Sequence, residues 1–287
     1  MNPTSNKSDF EDLTTNLKDL AYSYLEKYSP SKQQLKVYLL KKYLTKIKGS
    51  KSKKEVTSII DEIITELIDA EVDAIVVHKG VLSHQMSIRK WNRFVCHVSA
   101  STINGGNRSG EKVSIATAEE CLDRGAIGVS GQINIGEDNE ADMIIEIGDL
   151  TTDSWALKMP VLGMMYPRGP NLIISEDDQT NGVAHAARLA WEIGCNVVKV
   201  PWTGSVESFQ KVTEAVPIPV LIAGGSKGVT FVELLKIVEQ SILAGGSGVC
   251  IGRQVFGSKR PGLNVRALRA IVHEGMSAKE AMELLEE

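Results

Sequence analysis

The sequence is poor in the features that crosslink a chain or anchor it in a membrane. Its four cysteines include no Cys-x-x-Cys pair, which excludes a zinc ribbon, a dithiol redox motif and a disulfide framework. No run of about 18 apolar residues occurs, and the first ten residues lack the apolar centre of a secretory signal. These absences predict a cytoplasmic protein with no membrane partner.

A strong charge of either sign is also lacking. The net charge is -4 at pH 7, so the chain has no global basic field that would attract nucleic acid. Hydrophobic residues make up 43% and charged residues 24% of the 287 positions, and these values exclude wholesale disorder. The length allows one large domain, or one domain with a smaller appendage.

From residue 73 onward, seven short apolar runs alternate with segments of helical spacing. They cover residues 73–78, 94–99, 126–133, 160–166, 196–201, 219–225 and 248–253. This alternation predicts a parallel sheet covered on both faces. Its repeat length favours a TIM (β/α)8-type barrel that lacks one strand. A doubly wound sheet is the alternative, but no G-x-G-x-x-G turn follows the first strand.

Two tetrapeptides between the strands have the form of a reciprocal helix cap. They are Thr117-Ala-Glu-Glu120 and Ser277-Ala-Lys-Glu280. In such a box the first hydroxyl accepts from the fourth backbone N–H, and the fourth carboxylate accepts from the first backbone N–H. We therefore predict helix starts at both places.

The first 70 residues differ from the rest in pattern. Apolar residues at three- to four-residue spacing predict short helices, and nine lysines with no acid lie within residues 31–54. Such a run is either a solvated helix face or a nucleic-acid contact. We favour the solvated face and predict no nucleic-acid partner. We expect residues 36–47 to be helical and outside the barrel.

Lys199 is the sharpest single feature, because it interrupts the apolar strand 196–201. An ammonium in that position must be paired, reach the mouth of the barrel, or lose its proton through desolvation. A lysine with a lowered pKa is a nucleophile that forms a Schiff base with a substrate carbonyl. The alternative is a lysine at a strand end, paired with a neighbouring carboxylate.

Three other segments end strands where the active sites of barrels lie. Tyr166 can exchange a proton and Arg168 can hold phosphate or carboxylate in a bidentate fork. Gly224 and Gly225 follow one late strand, and Gly252 and Arg253 follow the next. In barrels the last two such loops frequently bind phosphate, so we predict a phosphorylated substrate.

The five histidines show neither His-x-x-His nor His-Glu-x-x-His spacing. We therefore predict no catalytic metal and no cofactor. His78 follows the first visible strand and is predicted to contact the substrate or a residue that does. His185, within a helical pattern, is predicted to be structural.

Six runs, in order, resemble the archaeal-type class I aldolases over about residues 70–287. They are Ala74-Ile-Val-Val-His-Lys-Gly80, Met164-Met-Tyr-Pro-Arg-Gly169, Ala184-His-Ala-Ala-Arg-Leu189, Val198-Lys-Val-Pro-Trp-Thr-Gly204, Ala223-Gly-Gly225 and Gly252-Arg-Gln-Val-Phe256. That family includes fructose-bisphosphate aldolase and 2-amino-3,7-dideoxy-D-threo-hept-6-ulosonate synthase. The resemblance implies a metal-independent enzyme, a phosphorylated keto-sugar and an aldehyde as partners, and a homo-oligomer.

By the same resemblance, Lys199 matches the Schiff-base lysine and Tyr166 the proton donor. The implied substrate and phosphate contacts are Tyr166, Pro167, Arg168, Gly224, Gly225, Gly252 and Arg253. The motifs lean toward the heptulosonate synthase, a transferase-like lyase that joins a deoxy keto-sugar phosphate to aspartate semialdehyde on a route to aromatic compounds.

One departure from the family is large. Its catalytic aspartate lies in an Asp-His-Gly run on the first strand, and this chain contains no such run. Residues 14–69 instead resemble the opening helical repeat of the recombination regulator RecX. We predict a helical, Lys-rich segment over residues 1–54 and a barrel over residues 55–287, open beside the strand that ends near His78. An impaired barrel with a binding, oligomerising or regulatory role is the alternative function.

Overall fold

The computed structural model describes residues 53–173, 179–224 and 228–286. Contacts within the chain separate residues 1–62 from residues 63–287. Of the first unit, residues 53–62 are described, and they form the start of helix α1 (Lys53–Asp69). The expectations for residues 1–52, including the helical segment 36–47 and the likeness to RecX, lie outside the described residues. The domain boundary at residue 54 stays a prediction.

Residues 63–287 are built around a curled, parallel sheet of seven strands, each joined to the next by hydrogen bonds. These strands are β1 (Ile75–Val77), β2 (Phe94–His97), β5 (Gly128–Ile135), β6 (Val161–Pro167), β7 (Val197–Val200), β8 (Val220–Ala223) and β9 (Gly248–Cys250). A small antiparallel hairpin, β3 (Ser99–Ala100) and β4 (Val113–Ser114), lies between β2 and β5 in the chain. All seven predicted strands are confirmed. In the described part of the chain no strand joins β1 to β9, so the TIM-type barrel fold is confirmed with one strand fewer than eight.

Helices connect successive strands, as parallel pairing requires. They are α2 (Lys79–Ile88), α3 (Ala118–Asp123), α4 (Glu140–Leu157), α5 (Thr180–Glu192), α6 (Val206–Glu214), α7 (Phe231–Leu243), α8 (Arg253–Phe256), α9 (Pro261–Glu274) and α10 (Ala278–Glu283), with a 3-10 segment at Ile103–Gly110. Across the described ranges, no helix combines the length and the apolar character needed to cross a bilayer.

The two predicted capping boxes form differently. Ser277 and Glu280 make the reciprocal pair of hydrogen bonds at the start of α10. At α3 the Thr117 hydroxyl accepts from the Glu120 N–H, but the Glu120 carboxylate is bound by Lys79 and Arg124 instead. The helix start is confirmed there, whereas the reciprocal box is wrong because two cations hold the carboxylate elsewhere.

The two faces of the sheet have different surroundings. Side chains on the outer face, such as Phe94 of β2 and Val198 of β7, are fully buried. On the inner face, Val95, Leu162 and Leu221 line a cavity of about 750 Å³. The interior of a complete barrel is filled by layers of side chains. The expectation of a sheet covered on both faces therefore holds for the outer face, while the inner face borders open space in the described part.

Candidate active site

Lys199 projects from β7 into the cavity. In the register of the sheet it lies beside Met164 of β6 and Leu221 of β8, and all three line the cavity. Tyr166 of β6 and Cys250 of β9 are the acidic groups near enough to raise the pKa of this ammonium. No ion pair joins it to a carboxylate in the ranges that the structure describes. The alternative of a lysine paired with a neighbouring carboxylate finds no partner within these ranges.

The protonation of Lys199 differs from the expectation. Burial lowers the pKa of Lys199, but the negative charges that Cys250 and Tyr166 can carry, and their hydrogen bonds, raise it by more. The net direction is upward from the ordinary lysine value. The expected lowering of the pKa is wrong, because burial is only one of the effects at this position. Lys199 is therefore an ammonium at pH 7.

Tyr166 and Arg168 lie at the carboxyl end of β6. The Arg168 guanidinium stacks over the Tyr166 ring, 4.7 Å from its centroid, and its Nε donates to Asn134 Oδ1 at 2.9 Å. Pro167 is buried beside Ile135 of β5, so it shapes the strand end between the two functional side chains. Arg168 itself is exposed and stays accessible to an anion at the mouth.

The loops after β8 and β9 touch one another. A Cβ atom on Gly224 would lie 2.6 Å from Gln254 Oε1, so a side chain there would displace Gln254. Gly252 lines the same cavity as Lys199, whereas Arg253 is exposed and is not part of that lining. Gly225 lies outside the described residues. Gly224 and Gly252 thus lie on two adjoining loops.

Two histidines line the cavity on the opposite side from β8. His78 Nδ1 contacts the carbonyl oxygen of His97 at 2.9 Å, and their rings are 5.2 Å apart. His97 Nδ1 contacts Ser130 Oγ at 2.9 Å. Burial, followed by the charges of His78 and Lys199, lowers the pKa of His97 to about 4. His97 is therefore neutral at pH 7.

Sequence reasoning missed His97 and Cys250 as neighbours of Lys199. Both lie on the inner face: His97 pairs in register with Ser130, and Cys250 pairs with Ala223. Strand alternation could have placed each of them on the same face as the cavity. Their proximity to Lys199 depends on the curl of the sheet, which alternation does not reveal.

Among the described residues, the carboxylates that line the cavity lie at its far end. Asp73 pairs with His273 at 2.9 Å, and Glu71 pairs with Arg269 at 3.0 Å. Both carboxylates precede β1, at the end opposite to the mouth. A search of the described residues finds no group of three or more His, Cys, Asp or Glu that could hold a metal ion. The polar groups close to Lys199 are a phenol, a thiol and a neutral imidazole.

A half-buried lysine within a curled parallel sheet, close to a phenol and glycine loops at the carboxyl ends of the strands, defines an aldolase-like α/β protein. The profile described as "DeoC/LacD family aldolase" matches residues 44–258, well over half of the chain. The chain belongs to the DeoC/LacD aldolase family.

Two curated relatives and one solved structure place the chain within that family. The 2-amino-3,7-dideoxy-D-threo-hept-6-ulosonate synthase 1 of Archaeoglobus fulgidus is 38% identical over 225 residues, 78% of this chain and 82% of the relative. The 2-amino-4,5-dihydroxy-6-oxo-7-(phosphonooxy)heptanoate synthase of Streptomyces griseus is 33% identical over 219 residues, 75% of this chain and 77% of the relative. An archaeal fructose-1,6-bisphosphate aldolase, solved with its catalytic Lys covalently bound to a carbinolamine intermediate, is 27% identical. It matches with a TM-score of 0.65 over 73% of this chain and 82% of that one.

Proposed function

We propose that this chain is a Schiff-base aldolase or transaldolase that acts on a phosphorylated keto-sugar, with Lys199 as the nucleophile. The observation that carries this proposal is a half-buried lysine that faces the cavity from β7, with Tyr166 near enough to raise its pKa. The solved relative with a covalently bound catalytic Lys supports it. The resemblance of the strand around Lys199 to the family motif points the same way.

The chemistry begins when Lys199 gives up one proton and its amine attacks the keto carbon. A C–N bond forms, the C=O π bond breaks, and the oxygen takes a proton to give a carbinolamine. Loss of water leaves an iminium ion, which accepts the electron pair of the C–C bond that breaks while the neighbouring hydroxyl loses its proton to water and becomes the aldehyde. The resulting enamine takes up a proton at carbon before the product is hydrolysed from the lysine. Tyr166 donates the proton that lets the hydroxyl leave and later accepts one as the product is hydrolysed.

We assign the substrate's phosphate to the adjoining loops after β8 and β9. Backbone N–H groups of Gly224 and Gly252 can approach an anion closely because no side chain intervenes. Gly225 belongs to the same motif on sequence grounds. Arg168, exposed at the mouth beside Tyr166, holds a second anionic group of the reactants. We give Arg253 a weaker role: like Arg168 it is exposed and absent from the cavity lining, but Arg168 stacks on Tyr166.

For the substrate pair, we favour a heptulosonate-synthase-like reaction that joins a keto-sugar phosphate to an aldehyde on a route to aromatic amino acids. The curated relatives from Archaeoglobus fulgidus and Halobacterium salinarum are both named as such synthases, at 38% and 35% identity. A fructose-bisphosphate aldolase reaction is the nearest variant. We also propose a homo-oligomer, which sedimentation of the purified protein will test.

The test of this function is aldol cleavage or synthesis measured with and without borohydride. We expect borohydride to inactivate the protein only when a keto-sugar phosphate is present, because reduction fixes the iminium on the lysine. We expect EDTA to leave the activity unchanged. An activity that EDTA removes and borohydride spares would instead indicate a metal-dependent aldolase.

The second candidate function is an impaired barrel that binds a ligand or a second copy of the chain. It is favoured by the open edge between β1 and β9 in the described residues and by the lack of an Asp-His-Gly run. Loss of one acid or base costs about 10² to 10⁴ in rate. Turnover within tenfold of a typical enzyme's roughly 10 per second would exclude this candidate.

A further inference from the structure

A buried amide lies near the mouth, on the same face of the sheet as Lys199. Asn134 of β5 is fully buried and pairs in register with Tyr166 of β6. Two residues earlier on β6, Met164 pairs with Lys199 of β7. Because alternate residues of a strand face the same side, Asn134, Tyr166 and Lys199 share the inner face of the sheet. The amide is therefore part of the wall around the proposed site.

Three neighbours hold this amide in one orientation. Asn134 Oδ1 accepts from Gln132 Nε2 at 2.8 Å and from Arg168 Nε at 2.9 Å. Asn134 Nδ2 donates to the carbonyl oxygen of Gly110, at the end of the 3-10 segment. Turning the amide over would place its NH2 group against two donors and its oxygen against a carbonyl oxygen. The orientation is therefore fixed by the three partners together.

Through one of these contacts Asn134 restrains the guanidinium of Arg168. Arg168 is exposed, and a long exposed side chain ordinarily samples many rotamers. Here its Nε is bound to a buried acceptor and its guanidinium lies over the Tyr166 ring, 4.7 Å from the centroid. With Nε occupied, the two terminal nitrogens, Nη1 and Nη2, remain for another partner. Among the described residues, neither of them has a hydrogen bond or an ion pair.

Two terminal nitrogens in one plane match two oxygens of a carboxylate or a phosphate. We propose that Asn134 is a positioning residue, which holds Arg168 so that Nη1 and Nη2 form a preorganised fork for an oxyanion of a reactant. A fork that is already ordered loses less conformational entropy when the anion binds. Asn134 acts through Arg168 and does not itself touch the reactant. Its role in the reaction rests on the proposed function, whereas the binding of an oxyanion by the fork does not.

The experiment measures how well anions protect Arg168 from phenylglyoxal, a reagent that modifies guanidinium groups, with each arginine peptide quantified by mass spectrometry. Succinate and inorganic phosphate are the probes in separate arms, and succinamide is the neutral control. We expect at least one of the two anions to protect Arg168 and succinamide to give no protection. The anion that protects better identifies a carboxylate or a phosphate as the group bound. If neither anion protects Arg168 in the wild type, the proposal is overturned.

Arg188 is the internal reference in the same digest. It is also exposed, its Nε is also held, by Glu192 at 2.7 Å, and its guanidinium also lies over an aromatic ring, that of Trp191 at 5.2 Å. Because a carboxylate already neutralises Arg188, we expect neither anion to protect it. Equal protection of Arg188 and Arg168 would show a general effect of the anions and would overturn the proposal.

Asn134→Ala removes the acceptor that holds Nε of Arg168. We expect the anion concentration that gives half protection of Arg168 to rise about tenfold, with the labelling of Arg188 unchanged. Asn171→Ala is the matched control, because it removes an exposed amide that bridges the loops after β5 and β6 by donating to Asp138 at 2.8 Å. We expect this control to keep the wild-type protection. An unchanged half-protection concentration in Asn134→Ala would overturn the proposal.

Asn134→Asp is a second variant that keeps the size of the buried side chain. Its carboxylate pairs with the guanidinium of Arg168 and neutralises it, so the half-protection concentration should rise at least as far as in Asn134→Ala. A wild-type value in the aspartate variant would overturn the proposal, even where the alanine variant does not fold. Melting curves of each variant check that the fold is retained.

Turnover provides a readout that a merely structural role would not give. In Asn134→Ala we expect the Michaelis constant of the anionic reactant to rise about tenfold while kcat changes less, and a fall in kcat alone would contradict the proposal. If Asn134→Ala weakens protection but borohydride traps no keto-sugar phosphate, the positioning of Arg168 stands and the proposed aldolase function fails. If an adduct is trapped but protection is unchanged in Asn134→Ala, the function stands and the positioning role fails.

Discussion

The β5–β6 pair at the centre of the sheet is longer than the strand pairs at its two edges. Strands β5 and β6 pair over seven residues, whereas β1 pairs with β2 over three and β8 with β9 over three. The proposed acid and nucleophile, Tyr166 and Lys199, lie on β6 and β7. His78 and Cys250 lie at or near the edges. Tyr166 thus lies on the long β5–β6 pairing, whereas β7, which carries Lys199, pairs over three residues with each neighbour, as the edge strands do.

Among the variants that test this comparison, we expect Tyr166→Phe to have the largest effect. The substitution removes the phenol but keeps the ring under the Arg168 guanidinium. We expect turnover to fall about 10² to 10⁴-fold, the usual contribution of a positioned acid or base. The Michaelis constant should change little, because the ring and Arg168 remain. Steady-state kinetics will check this, provided that the melting temperature of the variant is unchanged. A fall in turnover of less than fivefold would show that Tyr166 is not the proton donor.

The next effect concerns His97 and the pH dependence of stability. Its pKa is about 4 in the folded protein and about 6.5 when unfolded, so the unfolded chain binds the extra proton between these values. Stability should therefore fall as the pH drops through this window, by about 3 kcal/mol in all. Urea unfolding at several pH values should show this slope in the wild type and lose it in His97→Gln.

His185→Gln is the matched control for that measurement. His185 is exposed on α5, and its loss should leave the slope in place. An equal slope in wild type and His97→Gln would show that other groups control acid stability.

A pair of valine truncations compares the centre and the edge directly. Val198 of β7 is fully buried beneath the helices, whereas Val76 of β1 is half-buried and faces the cavity. We expect Val198→Ala to cost about 2 to 3 kcal/mol and Val76→Ala about 1 kcal/mol or less. Denaturant unfolding of both variants measures the difference. Equal losses would mean that the cavity side of β1 is packed as tightly as the core.

The smallest expected effect is that of Arg168→Lys. The positive charge is retained, but the Nε contact with Asn134 and the stack on Tyr166 are lost. We expect the Michaelis constant for an anionic substrate to rise about tenfold, which corresponds to about 1.4 kcal/mol, with turnover changed less. Kinetics with a substrate that lacks the anionic group should show no such rise. If both substrates lose affinity equally, Arg168 supports the loop and does not bind the anion.

Much of the fold could be predicted because the seven strands are continuous apolar runs bounded by helical patterns. The site could be predicted only in part. Lys199 stands out because a charge interrupts an apolar strand, which is a local signal. Its partners Cys250 and His97 come from strands distant in the sequence, and their contacts depend on the curl of the sheet.

The failures of prediction share one cause. The direction of the Lys199 pKa was wrong because two acids from other strands outweigh burial. The reciprocal cap at Thr117 was wrong because Lys79, 41 residues away, binds the Glu120 carboxylate. Local patterns predict which groups need a partner, whereas tertiary contacts decide which partner they find.

The most direct test of the central claim is to locate the covalent adduct. The protein is incubated with a keto-sugar phosphate, reduced with borohydride, digested and mapped by mass spectrometry. We predict a mass increase on the peptide that contains Lys199, absent in Lys199→Ala and retained in Lys211→Ala, a control at an exposed lysine of α6. An adduct on another lysine, or one that persists in Lys199→Ala, would contradict the account.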